Sequence, residues 1–169
     1  KNGHLISAFD KEIKLDIMRT DGNVLTLYED RPNDWDAWDV DFFYREMIIQ
    51  DAKLTSYSNR SDGPVKKSLI LKFKVGKSSI KQIVSLDMSS KQLDFDTLVD
   101  WNEDHRMLRV KFPVEVQSEQ ATFDIQYGYV RRNTHKNTSW DKAKFEVAGH
   151  KYADLSNNDF GVSLMNDCK

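Results

Sequence analysis

Hydrogen-bonding and aromatic side chains are concentrated between residues 127 and 154 of this 169-residue chain. Within the eleven positions 131–141 they supply donors, an acceptor and a stacking face, on Arg131, Arg132, His135, Asn137, Trp140 and Asp141. Buried polar groups without partners are costly, so we expect this segment to meet water, a ligand or another surface. Its chemistry suits recognition of hydroxyl groups or a polar interface. The alternative is structural, with Asn137 and Asp141 capping turns and Trp140 filling one end of a core.

A second group of chemically capable residues lies between 28 and 44, where aspartates surround two tryptophans. Trp35 and Trp38 could stack on sugar rings, because an aromatic face accepts the apolar side of a pyranose as it accepts other apolar surface. Packing in a core is the alternative. Pro32 excludes a helix interior, which predicts an irregular, exposed segment. The neighbouring aspartates lack the central glycine and terminal glutamate of a calcium loop, so the spacing argues against a metal there. They are Asp34, Asp36, Asp39 and Asp41.

Metal-capable side chains are present, but no catalytic or metal-binding signature is complete. His135, Asp141, His150 and Asp154 lie further apart than the paired ligands of common zinc sites. The sequence contains no GxSxG motif, no glycine-rich phosphate loop and no HExxH motif. We therefore predict no catalytic residue and no metal ligand in this chain.

Alternating apolar and polar residues predict the strands that would position these groups. The runs lie at 4–9, 23–28, 69–75, 80–88, 93–101, 108–116 and 123–129. In the run 69–75 the apolar face consists of Leu69, Leu71, Phe73 and Val75. In the run 80–88 it consists of Ile80, Val84, Leu86 and Met88, and Gln82 interrupts it. The last two runs predict a set of core-facing residues, namely Leu108, Val110, Phe112, Val114, Val116, Phe123, Ile125, Tyr127 and Tyr129. No helical period is sustained, so we predict an all-β fold, an antiparallel β-sandwich forming one domain over residues 1–169.

Length, charge and cysteine content exclude several classes of protein. A net charge of −2 gives no electrostatic basis for a nucleic-acid or membrane partner. The single cysteine, Cys168, cannot form an internal disulfide, and neither a membrane-length apolar run nor a signal-peptide layout is seen, which favours a cytoplasmic protein. Strand-like residues reach close to both ends, so we expect the chain to be truncated at both ends relative to a larger protein.

Four blocks of the sequence, taken in order, resemble one enzyme family. They are YEDRPNDWDAWDVDFFY, LDFDTLVDWNEDHRMLRVKFPVEV, IQYGYVRRNTHKNTSWDKAKFEVAGHKYADLS and FGVSLMND. These blocks resemble the C-terminal β region of glycoside hydrolase family 38 α-mannosidases, especially the cytosolic and bacterial branch. Three positions depart from the family pattern, where Asn133, Tyr152 and Asn157 replace the usual proline, tryptophan and glutamate.

The resemblance implies a super-sandwich similar to that of galactose mutarotases, within a retaining, zinc-dependent enzyme that releases α-linked mannose from oligosaccharides. In this family the zinc ion, the nucleophile and the acid/base carboxylate lie in an N-terminal catalytic domain and the junction after it. The chain would then hold no cofactor and be inactive when isolated.

Two partners follow from the resemblance: the N-terminal catalytic domain of the same polypeptide and a mannose-containing oligosaccharide. This chain would support the active site and contact the leaving-group sugar. The candidate contact residues are Trp35, Trp38, Arg131, His135, Asn137, Trp140 and Asp141. A stand-alone carbohydrate-binding β-sandwich without hydrolytic activity remains the alternative function, and a structural domain that touches no sugar is a third possibility, because a sandwich needs no ligand.

Overall fold

The computed structural model describes residues 2–60 and 63–167, and its regular structure is almost entirely antiparallel strand. Cys168 lies outside the described residues. The strands are β1 (Phe9–Asp10), β2 (Leu15–Asp16), β3 (Val24–Glu29), β4 (Ile48–Asp51), β5 (Lys53–Arg60), β6 (Lys66–Val75), β7 (Ser78–Asp87), β8 (Leu93–Asp100), β9 (Arg106–Lys111), β10 (Gln120–Ile125), β11 (Gly128–Asn133), β12 (Tyr152–Ser156) and β13 (Gly161–Met165). A 3₁₀ helix spans Phe42–Glu46, and helix α1 spans Ser139–Ala143. The predicted all-β, antiparallel class is confirmed.

The strands are distributed over two compact units. The first contains the described residues within 1–6 and 21–112, and the second contains those within 7–20 and 113–169. Each unit is therefore built from two separate stretches of sequence. That the whole of 1–169 forms one domain stays a prediction.

The first unit is a two-layer sandwich. One layer is a three-stranded sheet in the order β4-β3-β9, and the other is a four-stranded sheet in the order β5-β6-β7-β8. Ala52, which is buried, joins β4 to β5 and so carries the chain from one layer to the other. The predicted sandwich is thus seen directly in this unit.

The core of this sandwich follows the alternation of the sequence. Residues from both layers form one buried cluster, which comprises Leu25, Leu27, Ala52, Leu71, Phe73, Val75 and Ile80. Predictions at the strand ends were wrong, because Leu86 and Met88 are exposed. β6 and β7 each have ten residues, whereas the strands of the opposite layer have four to six, and Met88 already lies beyond the end of β7. Val110 is also exposed, since β9 is an edge strand of its sheet.

The second unit is built on a four-stranded sheet in the order β11-β10-β12-β13. The short pair β1-β2 and an isolated bridge between Met18 and Val114 complete its strand pairing in the described residues. The prediction that Tyr127 and Tyr129 face a core was wrong. Ile125 pairs with Gly128, so the chain turns at Gln126 and Tyr127, and Tyr127 is fully exposed with a left-handed backbone (φ 64°).

Pairing across this turn also explains why Tyr129 is exposed. Phe123 lies opposite Val130, so residues that share a face have odd numbers in β10 and even numbers in β11. Tyr129 instead lies opposite Asp124. Glycine and asparagine usually supply left-handed turn positions, and a tyrosine there gives no turn signal.

Candidate functional site

Trp35 and Trp38 lie on an exposed turn between β3 and the 3₁₀ helix of the first unit. The backbone N–H groups of Trp38 and Asp39 both donate to the Trp35 carbonyl oxygen, at 2.9 and 3.0 Å. Trp35 and Ala37 have left-handed backbones, with φ of 62° and 61°. The two indoles are 75% and 89% exposed, which excludes the alternative that they pack in a core of this chain.

The base of this turn is fixed by polar contacts. Arg31 Nε lies 2.6 Å from the Glu29 carboxylate, and Arg106 Nη1 approaches the same oxygen at 3.7 Å. The Asp30 N–H donates to the His105 carbonyl oxygen (2.9 Å). A strained conformation of a bulky residue persists only where the surrounding structure holds it, and such residues cluster at functional sites. The turn therefore presents two indoles on a held backbone.

The second candidate segment connects β11 to α1 in the second unit. Thr134 holds its start, because its N–H donates to the Glu119 carbonyl oxygen (3.0 Å) and its hydroxyl to the Ser118 carbonyl oxygen (2.6 Å). Thr138 forms the N-cap of α1, and its side chain accepts a hydrogen bond from the Asp141 N–H (3.1 Å). The predicted residues 131–141 thus follow one another along a strand end, a loop and a capped helix.

Asp141 is buried and occupied by partners within this segment. Its carboxylate accepts hydrogen bonds from the Thr138 hydroxyl (2.6 Å), the Thr138 N–H (3.3 Å) and the Asn133 amide (3.3 Å). His135 Nδ1 lies 3.5 Å from the same carboxylate. Hydrogen bonding by the Thr138 hydroxyl is the main cause that keeps the pKa of Asp141 below its ordinary value, outweighing burial, which acts in the opposite direction. Asp141 is therefore an ionised acceptor that caps α1 and faces His135.

The remaining candidates of this segment are exposed. Trp140 is 79% exposed, so the alternative that it fills a core of this chain is excluded. The Asn137 N–H approaches His135 Nδ1 (3.5 Å), while Arg131 and Asn137 themselves are exposed. His135 is half-buried. The structure thus brings His135, Asn137 and Asp141 together, and it leaves Arg131 and Trp140 open to solvent.

Sequence reasoning did not identify the role of Arg132. Its guanidinium donates to the Ala148 carbonyl oxygen (3.0 Å) and lies 5.7 Å from the centre of the Phe123 ring. The residue thereby fastens the loop before β12 to the sheet. No local pattern distinguishes it from Arg131, because the difference is which face of β11 each residue occupies.

We expect the contribution of Asp141 to stability to depend on pH. Its pKa is depressed in the folded chain, so the stabilisation is complete above the ordinary value of 3.8 and is lost as the pH falls through the lower folded value. In Asp141→Asn, the loss of stability relative to the parent protein should be largest near neutral pH and shrink below about pH 4. Denaturant titration at several pH values measures this. Asp36→Asn, which removes a charge from an exposed loop, is the matched control; a deficit that does not change with pH would contradict the assignment.

The candidate residues fall into two groups, one in each unit. Trp35 and Trp38 belong to the first, and Arg131, His135, Asn137, Trp140 and Asp141 belong to the second. Among the described residues, no three histidine, cysteine, aspartate or glutamate side chains are placed so that they could hold a metal ion. The first group can stack on an apolar surface through its two indoles. The second group can form hydrogen bonds beside the exposed indole of Trp140. Their role in binding a substrate stays a prediction.

Comparison with protein families gives a match over the whole chain. Residues 1–169 match the model of the glycosyl hydrolases family 38 C-terminal domain. The chain is 38% identical to alpha-mannosidase G of Dictyostelium discoideum over 99% of its length, and 40% identical to alpha-mannosidase 2C1 of Homo sapiens over 88%. It is 32% identical to an alpha-mannosidase of Saccharomyces cerevisiae over its full length. The chain spans between 14% and 17% of the length of these relatives.

The fold is also found in a solved structure. An alpha-mannosidase from Enterococcus faecalis superimposes with a TM-score of 0.76 over 98% of this chain and 22% of that chain, at 18% sequence identity. In the part of the chain that the structure describes, no helix has the length and hydrophobicity needed to cross a membrane.

Proposed function

This chain belongs to the family of C-terminal domains of family 38 glycosyl hydrolases, and we propose that it is the non-catalytic β portion of a cytoplasmic α-mannosidase. The observation that carries the proposal is the family match over residues 1–169, together with the identity to several named α-mannosidases. The enzyme would hydrolyse α-linked mannose in oligosaccharides. A stand-alone carbohydrate-binding module receives less support, because the matching family model is that of a domain of a hydrolase.

The hydrolytic groups of the proposed enzyme would lie outside this chain. A retaining glycosidase uses two carboxyl groups about 5 Å apart, one as nucleophile and one as acid and base. The described residues do not fit a zinc site either, since no three potential ligands converge among them. We therefore assign no chemical step to this chain. Its contribution would be to support the active site and to bind the sugar that leaves.

The turn that carries Trp35 and Trp38 is the strongest candidate for contact with that sugar. The indoles are exposed, and their backbone is held by the hydrogen bonds to the Trp35 carbonyl oxygen. An aromatic face accepts apolar C–H surface at a low cost in side-chain entropy, and a fixed backbone reduces the ordering cost of binding. The aspartates around the indoles supply acceptors for sugar hydroxyl groups.

The segment after β11 offers a second binding surface. His135 lies beside the ionised carboxylate of Asp141, which orients the imidazole through the 3.5 Å contact with Nδ1. When Nδ1 of a neutral His135 donates to this carboxylate, Nε2 is left to accept a hydrogen bond from a hydroxyl group, while the exposed side chains of Arg131 and Asn137 can donate to one. Asp141 is the positioning residue of this group, because its carboxylate is occupied by Thr138 and Asn133.

Replacement of Trp38 by alanine in the full-length enzyme tests the stacking role. We expect kcat/KM for a mannose oligosaccharide to fall about tenfold, the effect of losing roughly 1.4 kcal/mol of transition-state binding. Cleavage of an aryl α-mannoside, which lacks the leaving sugar, should change much less. The matched control is Tyr57→Ala, which also removes an exposed aromatic ring. Equal losses for both substrates, or none for either, would remove Trp38 from the sugar site.

A further inference from the structure

The turn that joins β6 to β7 in the first unit binds a carboxylate from a distant part of the chain. Gly76 in this turn has a left-handed backbone (φ 55°). The N–H groups of Lys77 and Ser78 both donate to Oε1 of Glu103, that of Ser78 at 3.1 Å. The Ser78 hydroxyl donates to the same oxygen (3.1 Å). Successive N–H groups of this kind form a concave anion site, and here the chain itself supplies the anion.

The Glu103 carboxylate fits closely against this turn. A Cβ atom added to Gly76 would lie 2.5 Å from Oε1 of Glu103, so the carboxylate occupies the space that a side chain at position 76 would need. Burial by itself would raise the pKa of Glu103, but hydrogen bonds from Lys77 and Ser78 outweigh it and keep the pKa below its ordinary value. Glu103 is therefore an ionised acceptor, and hydrogen bonds to an ionised group are roughly twice as strong as neutral ones.

Glu103 lies in the connection between β8 and β9, which carries the chain from one layer of the sandwich to the other. β8 belongs to the four-stranded sheet and β9 to the three-stranded sheet. Next to Glu103, the Asn102 N–H donates to the Ser78 hydroxyl oxygen (2.9 Å). The connection, residues 101–105, is thus fastened to the β6–β7 turn at two successive residues.

The end of the same connection holds the base of the turn that carries the two indoles, residues 30–39, which we call the tryptophan turn. His105 has a left-handed backbone (φ 51°). Its carbonyl oxygen accepts hydrogen bonds from the Asp30 N–H (2.9 Å) and from Nη1 of Arg106 (2.9 Å). A residue other than glycine keeps such a backbone only where its surroundings hold it. The direction of the His105 carbonyl therefore depends on how the connection is fastened.

We propose that Glu103 is a positioning residue for the tryptophan turn. Its carboxylate fixes the connection 101–105 against the β6–β7 turn, and the connection presents the His105 carbonyl oxygen to the Asp30 N–H. Glu103 thus acts through His105 and needs no contact with sugar. The value of this role for substrate binding rests on the proposed function, whereas the fastening itself does not.

Hydrogen–deuterium exchange of the full-length enzyme, read by mass spectrometry, tests the positioning. In Glu103→Ala, peptides that cover residues 30–39 should exchange about tenfold faster, because the hydrogen-bonded N–H groups of the turn lose protection when its base opens. Peptides from β10 to β13 in the second unit should not change. Asp104→Ala, which removes the same charge from the exposed neighbouring position, is the matched control.

Two further variants test the same contact if Glu103→Ala fails to fold. Glu103→Gln retains an oxygen that can accept the hydrogen bonds, so its exchange should lie between that of the parent enzyme and that of Glu103→Ala. Ser78→Ala removes the hydroxyl that joins Glu103 to Asn102, and it should accelerate exchange in the same peptides.

The expected result is faster exchange confined to residues 30–39 and the β6–β7 turn, with a larger loss of kcat/KM for a mannose oligosaccharide than for an aryl α-mannoside. Faster exchange throughout the first unit would overturn the proposal, because Glu103 would then only stabilise the fold. Exchange at 30–39 no faster than in Asp104→Ala would overturn it as well. Faster exchange at 30–39 with equal losses on both substrates would support the positioning and overturn the proposed sugar contact of the turn.

Discussion

Replacement of Leu27 by alanine should lower the free energy of unfolding by about 2–5 kcal/mol, the usual range for removing a large buried side chain. Leu27 is 1% exposed and belongs to the buried cluster shared by the two layers of the first unit. The other members of this cluster come from β3, β6, β7 and the β4–β5 connection, so we expect the resulting cavity to have walls from both sheets and to resist collapse. Denaturant unfolding followed by fluorescence measures the loss.

The control for this prediction is Leu98→Ala. Leu98 lies on β8 and is 70% exposed, so its truncation should change stability by less than about 0.5 kcal/mol. A loss below about 1 kcal/mol in Leu27→Ala would mean that the two sheets do not share one packed core.

Replacement of Gln82 by leucine should cost about 1–3 kcal/mol, even though it puts an apolar side chain between Ile80 and Val84 on the inner face of β7. Gln82 is 2% exposed and accepts a hydrogen bond from the Asn23 amide (2.7 Å), while its own amide donates to the Thr97 hydroxyl (3.0 Å). The Asn23 amide also donates to the Gly3 carbonyl oxygen (3.1 Å). Leucine would leave one Asn23 donor without a partner inside the core.

A double-mutant cycle isolates this interaction. Asn23 has a left-handed backbone (φ 55°), so Asn23→Gly removes the side chain without adding backbone strain. Because the two side chains are in contact, we expect the losses of the single variants to be non-additive by about 0.5–3 kcal/mol. Additive losses would show that the Asn23 to Gln82 hydrogen bond contributes nothing to the stability of the core.

The candidate site shows where sequence reasoning stops. Composition and spacing identified both groups of residues, because aromatic and hydrogen-bonding side chains are dense there in the sequence. The same reasoning left open whether Trp35, Trp38 and Trp140 pack in a core or face solvent. Only burial in the folded chain separates these alternatives. The alternative that Asp141 caps a turn came close, but the structure places it in the reciprocal N-cap of a helix, α1, which the sequence had not predicted.

By itself, the sequence determined the class of fold and most of the core of the first unit. Alternation with a period of two is a local property of a half-buried strand, and it correctly placed Leu71, Phe73 and Val75 inside. The resemblance carried by the four blocks likewise identified the family that the full-length comparison shows. Strand alternation and sequence blocks are both patterns along the chain, so they can be recognised without knowing which strands lie next to each other.

The tertiary structure decided which strands are edges, how far each sheet is covered and where the chain reverses. Val110 fits the alternation but is exposed because β9 has no second neighbour in its sheet. Tyr129 also fits the alternation, but the chain turns at Tyr127. The residues that share a face with Phe123 therefore have odd numbers in β10 and even numbers in β11, and Tyr129 lies on the opposite face. Gln82 breaks the pattern and is nevertheless buried, because its partner Asn23 comes from a distant strand end in the opposite layer. In each case the deciding contact joins residues far apart in sequence, and a local pattern carries no information about such contacts.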